Sequence, residues 1–142
     1  YIACASIHGN TYSVCEKLKE ILEEKGEGNV VLVDLSKEDW SEAIEDAFRY
    51  GKVVFASSTY NMEIFTPMRN LLLNLKEKNY QNKIVGLIEN GTWAPNSAKC
   101  MKEILNTMKN IDIIEPVVTI KSKLSKENCL QLIEMADDLI KK

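Results

Sequence analysis

A short polar loop, Ser6–Thr11, carries the first residues that could do chemistry, and it leads directly into a helical pattern. A helix N-terminus presents unpaired N–H groups and a partial positive charge, so a phosphate there accepts several charge-assisted hydrogen bonds of about 1.5–3 kcal/mol each. Ser6, Asn10 and Thr11 would add side-chain donors, and Gly9 allows a positive φ angle at little steric cost. The loop predicts a phosphate site. The alternative is an ordinary turn in which Asn10 or Thr11 caps the helix.

Two further loops are long, and each contains an aromatic residue. One runs from Ser57 to Thr66 and contains Tyr60, and the other runs from Glu89 to Ala94 and contains Trp93. A planar ring needs flat apolar walls with backbone amides along its polar edge, and aromatic stacking adds about 0.5–1.5 kcal/mol beyond the burial of area. The two aromatics would suit such walls, although either one alone also fits a core or rim position.

Several other kinds of site are missing from the sequence. It contains neither a G-x-x-x-x-G-K-[ST] phosphate loop nor a G-x-G-x-x-G dinucleotide fingerprint, and no arginine accompanies Cys4 to form a phosphatase loop. The single histidine, His8, cannot build a His-rich metal cluster, and it fits a solvated side chain as well as a phosphate contact. The four cysteines include no C-x-x-C pair, so we expect buried free thiols and no metal site.

Apolar runs rich in β-branched residues predict the five strands that would hold these loops. The runs are Ile2 to Ala5, Val30 to Val33, Val53 to Ala56, Ile84 to Ile88 and Ile113 to Ile120. Between the runs, apolar residues recur at the spacing of one helix face, which predicts a helix after each strand. The five helical stripes begin at Val14, Trp40, Met68, Met101 and Cys129.

Start signals support two of these helices. Thr66 predicts an N-cap before Pro67 at the first helical position, and Ser36 with Asp39 resembles a capping box. Strict alternation of strands and helices indicates an α/β fold, a doubly wound three-layer sandwich around a five-stranded parallel sheet, because the crossover helices cover both faces. Pro116 cannot donate to a sheet ladder, so the fifth strand should lie at an edge, as the order 2-1-3-4-5 would place it.

In such a sheet, ligands bind beyond the carboxyl ends of the strands, where the strand order reverses. The loops after strands one, three and four are the three described above. Their position in the predicted fold therefore supports a single shared site.

Composition indicates one folded domain over residues 1–142, with 45% hydrophobic and 27% charged residues. No apolar run approaches the roughly 20 residues that span a bilayer, and no secretory leader is present, so we expect a cytoplasmic protein without a membrane partner. With a net charge of −3, the chain lacks the excess of positive charge that binds a nucleic-acid backbone, so we expect no nucleic-acid partner. The chain begins inside an apolar run without an initiator methionine, and we expect a domain cut from a longer protein.

Together the three loops resemble the FMN loops of flavodoxins. The matching segments are Ser6–Thr11 at the start of a helix, Ser57–Asn61 leading to Phe65-Thr66-Pro67, and Gly91-Thr92-Trp93. The resemblance covers the whole chain and is closest to the carboxyl-terminal flavodoxin-like domain of A-type flavoproteins, the flavo-diiron proteins. It implies a flavodoxin-like fold that binds FMN without covalent bonds and passes electrons to a redox partner protein or to a diiron domain of the parent protein. It is also compatible with a homodimer.

The same resemblance implies which residues bind the cofactor. Residues 6–11 would hold the phosphate, residues 59–61 would line the ring and ribityl chain, and residues 89–93 would flank the ring. The predicted cofactor-binding residues are Ser6, Ile7, His8, Gly9, Asn10, Thr11, Ser58, Thr59, Tyr60, Asn61, Phe65, Glu89, Asn90, Gly91, Thr92 and Trp93. Ser58 stands where the family often has proline, and Glu89-Asn90 replaces a smaller pair, so the chain departs from the family at expected ring contacts more than at phosphate contacts.

Electron transfer of this kind needs no catalytic side chain, because the cofactor supplies the redox chemistry. Glu63 and Glu89 lie on the ring loops, and a nearby negative charge disfavours the addition of an electron. We therefore expect a low potential for the second electron, which replacement of these two residues by glutamine should raise.

Two other functions share parts of this pattern. A stand-alone FMN oxidoreductase, of the quinone reductase or protoporphyrinogen oxidase type, would bind a substrate over the ring, but the chain has no added insertion for one. A phosphorylation receiver of the same fold needs acidic residues at the ends of strands one and three, where this chain has Ala5-Ser6 and Ala56-Ser57.

Overall fold

Strands and helices alternate along the chain in the predicted order. The structure, a computed structural model, describes residues 1–7, 9–60, 63–91, 96–121 and 123–142, without the side chains of Tyr60 and Glu63. The strands are β1 (Ile2–Ala5), β2 (Leu32–Asp34), β3 (Lys52–Tyr60), β4 (Glu63–Ile64), β5 (Gln81–Asn90), β6 (Lys109–Ile113) and β7 (Val118–Ile120). The helices are α1 (Asn10–Glu24), α2 (Trp40–Arg49), α3 (Thr66–Glu77), α4 (Ser97–Leu105) and α5 (Lys126–Lys141).

The main sheet is parallel and has the order β2-β1-β3-β5-β6. β7 also pairs in parallel with β5, further along that strand than β6. With β6 and β7 taken as two halves of a fifth strand, the predicted order 2-1-3-4-5 is confirmed. β4 was not predicted. It forms a short antiparallel hairpin with the end of β3, through the pairs Thr59–Ile64 and Tyr60–Glu63.

The prediction of one continuous fifth strand over residues 113–120 was wrong. Pairing with β5 begins earlier, at Lys109 opposite Gln81, and stops between Ile113 and Val118. Pro116 lies in this interruption, because a residue without an N–H cannot continue the ladder. Its edge position was predicted correctly.

Two predicted helix starts need correction. In α3 the N-cap is Phe65, and Thr66 is already helical. In α2 the N-cap is Asp39, whose side chain accepts a hydrogen bond of 2.8 Å from the Ser41 N–H. Ser36 is not part of a capping box, because its N–H and hydroxyl both donate to Asp34 Oδ1, at 3.0 and 2.6 Å.

The sheet separates two apolar clusters. Phe55, Leu72 and Leu87 belong to the cluster that also takes in residues of α2, α3 and α4. Leu18 and Leu132 belong to the other, which takes in residues of α1 and α5. Full burial of one such side chain stabilises the fold by about 1.5–3 kcal/mol, so these clusters hold the sheet and therefore the loops at its end.

The cysteines agree with the prediction in part. All four are thiols outside any disulfide; Cys4 and Cys15 are fully buried, and Cys100 and Cys129 are half-buried. Among the described residues, no helix is long and apolar enough to cross a bilayer.

Candidate functional site

The loops after β1, β3 and β5 meet at one edge of the sheet, because parallel strands end on the same side. Ser58 joins the first two of these loops. Its hydroxyl oxygen accepts a hydrogen bond of 3.3 Å from the Ile7 N–H and lies 2.9 Å from the Thr11 hydroxyl, where either oxygen can donate. Thr11 is fully buried and Ser58 is 9% exposed. These contacts fix the first loop against the end of β3.

An anion cradle forms where the first loop enters α1. Gly9 is the N-cap in a left-handed conformation with φ of 83°, which favours glycine because a Cβ is strained there. Its N–H donates to Ser6 Oγ at 2.9 Å, and its carbonyl accepts the first helical bond from Ser13.

The next three backbone donors are available for a ligand. The N–H groups of Asn10, Thr11 and Tyr12 make no hydrogen bond to another residue of the described ranges. Together with the positive end of the helix dipole, they can bind a phosphate. The sequence around them, residues 6–13, has no lysine or arginine, so this segment would bind a phosphate through N–H and hydroxyl donors and leave its negative charge in place. Burial, with Glu16 and Asp34 nearby, raises the pKa of the Tyr12 phenol, which keeps its proton.

The second loop, after β3, is a hairpin, and it is held at its base. Phe65 N–H donates to the Ser58 carbonyl at 3.1 Å and to Ser57 Oγ at 3.3 Å, so the start of α3 is fastened to the end of β3. Thr59 Oγ1 donates to Ser97 Oγ at 3.2 Å, and Ser97 Oγ donates to the Ser57 carbonyl at 3.3 Å. The same hairpin base is thereby joined to the start of α4.

The third loop begins at the end of β5. Glu89 and Asn90 are strand residues that pair with Ser57 and Ser58 of β3, and both are 8% exposed. The Glu89 carboxylate accepts a hydrogen bond of 3.0 Å from the Ala98 N–H and one of 2.7 Å from the Thr119 hydroxyl. The Gly91 N–H donates to the Ile120 carbonyl at 3.0 Å. Glu89, predicted beside the ring, thus also connects α4 to β7.

Some predicted site residues lie outside the described part of the chain. These are His8, Asn61, Thr92 and Trp93, and the side chains of Tyr60 and Glu63 are likewise not described. The described members lie at the edge where β1, β3 and β5 end. Hydrogen bonds link the first loop to the second, and the second loop to the start of α4. Their contacts with a cofactor remain predictions.

Sequence reasoning missed three residues that organise this edge. Ser57, Ser97 and Thr119 are not among the predicted site residues, yet each hydrogen-bonds to a predicted one. The sequence offers only a weak signal for them. Each is a small polar residue near the carboxyl end of a strand, as for Ser57 and Thr119, or at the start of a helix, as for Ser97.

A cavity lies at the opposite edge of the sheet. It has a volume of about 360 Å³, and its lining includes Tyr1, Val30, Tyr50 and Ile140. These residues lie at or before the amino ends of strands or near the end of α5, away from the three loops. The loop edge, whose N–H donors at residues 10–12 have no partner among the described residues, remains the candidate cofactor site.

Comparison with known proteins supports this assignment. The structure is similar to the rubredoxin:oxygen oxidoreductase of Desulfovibrio gigas, with a TM-score of 0.90 and 25% identity over 99% of this chain and 34% of that one. A flavo di-iron protein variant from Thermotoga maritima matches with a TM-score of 0.80 and 28% identity, again over 99% and 34%. The chain therefore spans about a third of the length of these two proteins.

A flavodoxin from the domain Archaea has the same fold over nearly its full length, with a TM-score of 0.83 and 19% identity over 99% of this chain and 95% of that one. No curated protein sequence matches the chain. The flavodoxin domain profile matches residues 1–127, and the donor cradle of α1 fits a phosphate-bearing cofactor. The chain belongs to the flavodoxin domain family, whose cofactor is FMN and whose role is electron transfer.

Proposed function

We propose that this chain is the FMN-binding unit of an electron-transfer protein and delivers electrons to a diiron domain or to a separate redox partner. The observation that carries the proposal is the cradle at the start of α1, where three consecutive N–H groups have no partner among the described residues. Ser58 fastens this cradle to the hairpin that follows β3. The likeness to a rubredoxin:oxygen oxidoreductase and a flavo di-iron protein supports the choice of partner.

Each group of residues has a separate task in this proposal. The N–H groups of residues 10–12 would hold the phosphate, and the left-handed Gly9 would let the loop turn closely around it. The hairpin after β3 and the loop after β5 would line the ring and exclude water from its inner side. When bound, FMN supplies the redox chemistry, and the protein supplies position and electrostatics.

The proposed diiron centre would belong to another part of the protein. The chain covers only 34% of the two flavodiiron-type structures, and the described residues contain no group of three His, Cys, Asp or Glu side chains arranged to hold a metal. Electrons would therefore leave this domain across an interface, at the edge that carries the three loops.

The visible spectrum of the purified chain tests the cofactor. We expect a yellow protein that releases FMN on heating, and an apoprotein that binds FMN more tightly than riboflavin because of the phosphate cradle. Riboflavin binding as tight as FMN binding would contradict the cradle. A colourless protein that stays colourless with excess FMN would contradict the whole proposal.

Turnover experiments test the relay. We expect the isolated chain to be reduced by a partner protein and to show little NAD(P)H oxidation with a quinone. Steady quinone reduction by the isolated chain would contradict the relay and favour a stand-alone FMN oxidoreductase.

A further inference from the structure

Three lysines follow β7 at the edge of the sheet that carries the candidate cofactor site. β7 pairs in parallel with the last three residues of β5, so both strands end at this edge. Lys121, Lys123 and Lys126 come next along the chain, and all three are exposed. The Lys123 N–H donates to the Lys121 carbonyl at 2.8 Å, and Lys126 is the first residue of α5. Three positive charges are therefore grouped between the end of β7 and the start of α5.

Ion pairs do not neutralise these lysines within the described part of the chain. Glu127, the one acid in the sequence from 121 to 133, forms no ion pair with them. Lys126 also lies at the positive end of the α5 dipole, which opposes a cation, so helix stability does not account for it. Lysines further from this edge are paired at 2.6–3.0 Å, as in Lys25–Asp137, Lys102–Glu115 and Lys142–Asp112.

An exposed apolar patch continues the basic group along α5. Leu130 is 63% exposed and Ile133 is 37% exposed. Leu130 is four residues after Lys126 and three before Ile133, so the three share one side of the helix. Protein interfaces combine an apolar centre with a polar rim, and electron-transfer encounters need only a small one, below about 1,200 Å². We define the α5 surface as Lys121, Lys123, Lys126, Leu130 and Ile133.

We infer that the α5 surface docks an acidic redox protein, which exchanges electrons with the flavin at the same edge of the sheet. The inference rests on the proposed function and adds the chemistry of the partner. The whole chain has a net charge of −3 and would carry −6 without these three lysines. Most of the molecule therefore repels an acidic protein, and the α5 surface attracts it, which orients the encounter toward the cofactor edge.

The charge of the remaining chain also favours a protein over other anionic partners. A nucleic acid or an anionic membrane presents negative charge over a wide area, so it would meet the acidic parts of the chain together with the lysines. An acidic patch on a small protein can contact the lysines alone.

Two triple variants with the same change in net charge test the α5 surface. The test variant combines Lys121→Gln, Lys123→Gln and Lys126→Gln. The control variant makes the same change at the opposite edge of the sheet, near the end of α3 and the start of β6, at exposed lysines that likewise form no ion pair among the described residues: Lys76→Gln, Lys78→Gln and Lys109→Gln. Leu130→Ser removes the apolar centre alone.

Stopped-flow reduction of the FMN-loaded chain by reduced plant-type ferredoxin, an acidic probe protein, measures the effect. At low ionic strength we expect the test variant to react about tenfold more slowly than the wild type and the control variant to stay within about twofold. The difference should disappear at high ionic strength, because salt screens exposed charges. Leu130→Ser should slow the reaction about two- to fivefold at both ionic strengths, since salt does not screen an apolar contact.

Three results of this experiment would overturn the inference. They are equal rates for the wild type and the test variant at low ionic strength, an equal fall in the control variant, and no electron transfer from the acidic probe at all.

Amide NMR shifts of the purified chain on addition of a polyglutamate peptide provide a readout that needs no flavin. The shifts should centre on Lys123, Lys126 and Leu130, disappear in the test variant and persist in the control variant. Shifts centred elsewhere would overturn the inference. So would a homodimer that the test variant dissociates in sedimentation velocity, because a second copy would then cover the surface. Wild-type protein that binds no FMN would contradict the proposed function, while the peptide titration would still decide whether the α5 surface binds an acidic partner.

Discussion

Ser58 joins the loop of residues 6–11, the proposed phosphate site, to the hairpin that follows β3. A proline, common at this position in the family that the chain resembles, could not form the hydroxyl contacts with Ile7 and Thr11. The Thr11 hydroxyl, predicted as a phosphate donor, is instead paired with Ser58 in this structure, and its backbone N–H remains available. A proline would restrict the backbone at this position, whereas Ser58 connects the two loops by hydrogen bonds.

The variant Ser58→Ala tests this bond. We expect it to weaken FMN binding about three- to tenfold, because a buried hydrogen bond contributes about 0.5–1.5 kcal/mol. Riboflavin binding should change less, since the bond supports the phosphate loop. Flavin fluorescence titration measures both constants. Ser36→Ala, at an exposed serine between β2 and α2, is the control, and equal FMN affinity in the two variants would contradict the role of Ser58.

At the scale of elements, α5 packs closely over β5 at Gly86. A Cβ built on Gly86 would lie 3.0 Å from Met135 Sδ and 3.4 Å from Val54 Cγ2. We expect Gly86→Val to destabilise the protein by about 1–3 kcal/mol despite the strand preference of valine, because the added side chain would overpack the core between β5 and α5.

Urea unfolding of Gly86→Val, Met135→Ala and the double variant forms a double-mutant cycle for this contact. We expect Met135→Ala to recover part of the loss caused by valine. Strictly additive changes would show that Met135 is not the residue that limits space at Gly86.

The elements also show how far the sequence could be interpreted. Apolar periodicity predicted the five helices and the first four strands of the parallel sheet, because the burial of apolar side chains produces that pattern. It could not predict that Asp34 would bind Ser36 and prevent a capping box, or that β6 and β7 would separate around Pro116.

The candidate site, too, was predictable only in part. Residue types predicted its three loops. Two of the hydrogen bonds that hold the loops join residues far apart in sequence: Thr59 and Ser97 are 38 residues apart, and Glu89 and Thr119 are 30 residues apart. Only the folded sheet brings such pairs together, because each member alone is an ordinary polar residue.

At the scale of the whole molecule, β5 carries a buried charge near each end. Lys83 binds the last carbonyls around α2, and Glu89 binds the first turn of α4. The Lys83 end also contains Tyr80, whose hydroxyl donates to the Ala47 carbonyl at 2.8 Å and whose ring lies 5.3 Å from Lys83 Nζ. One end of the sheet thus contains these stabilising contacts, and the other contains the proposed cofactor site.

Two buried acids, Tyr80 at this end and Cys15 in α1, predict how unfolding depends on alkaline pH. Burial raises the pKa of Tyr80 well above its usual value of 10.0, and the pKa of Cys15 is raised above 9.0, first by its hydrogen bond to Cys4 and then by burial. Above these values the unfolded chain loses protons that the folded chain keeps, so stability falls as pH rises. Lys83 acts in the opposite sense, because burial lowers its pKa below the usual 10.5. As pH rises toward 10.5, the folded chain loses this proton before the unfolded chain does, and the contribution of Lys83 to stability increases.

Tyr80→Phe separates the tyrosine from the other groups. At neutral pH it should lower the free energy of unfolding by about 1 kcal/mol, because the bond to Ala47 is lost. Above about pH 10 its stability should fall less steeply than that of the wild type, by about 1.4 kcal/mol per pH unit, because one proton fewer is released on unfolding. Urea unfolding curves from about pH 8 to about pH 11 measure both effects. Parallel declines above pH 10 would show that Tyr80 ionises as readily in the folded protein as in the unfolded chain, and that its burial does not oppose its charge.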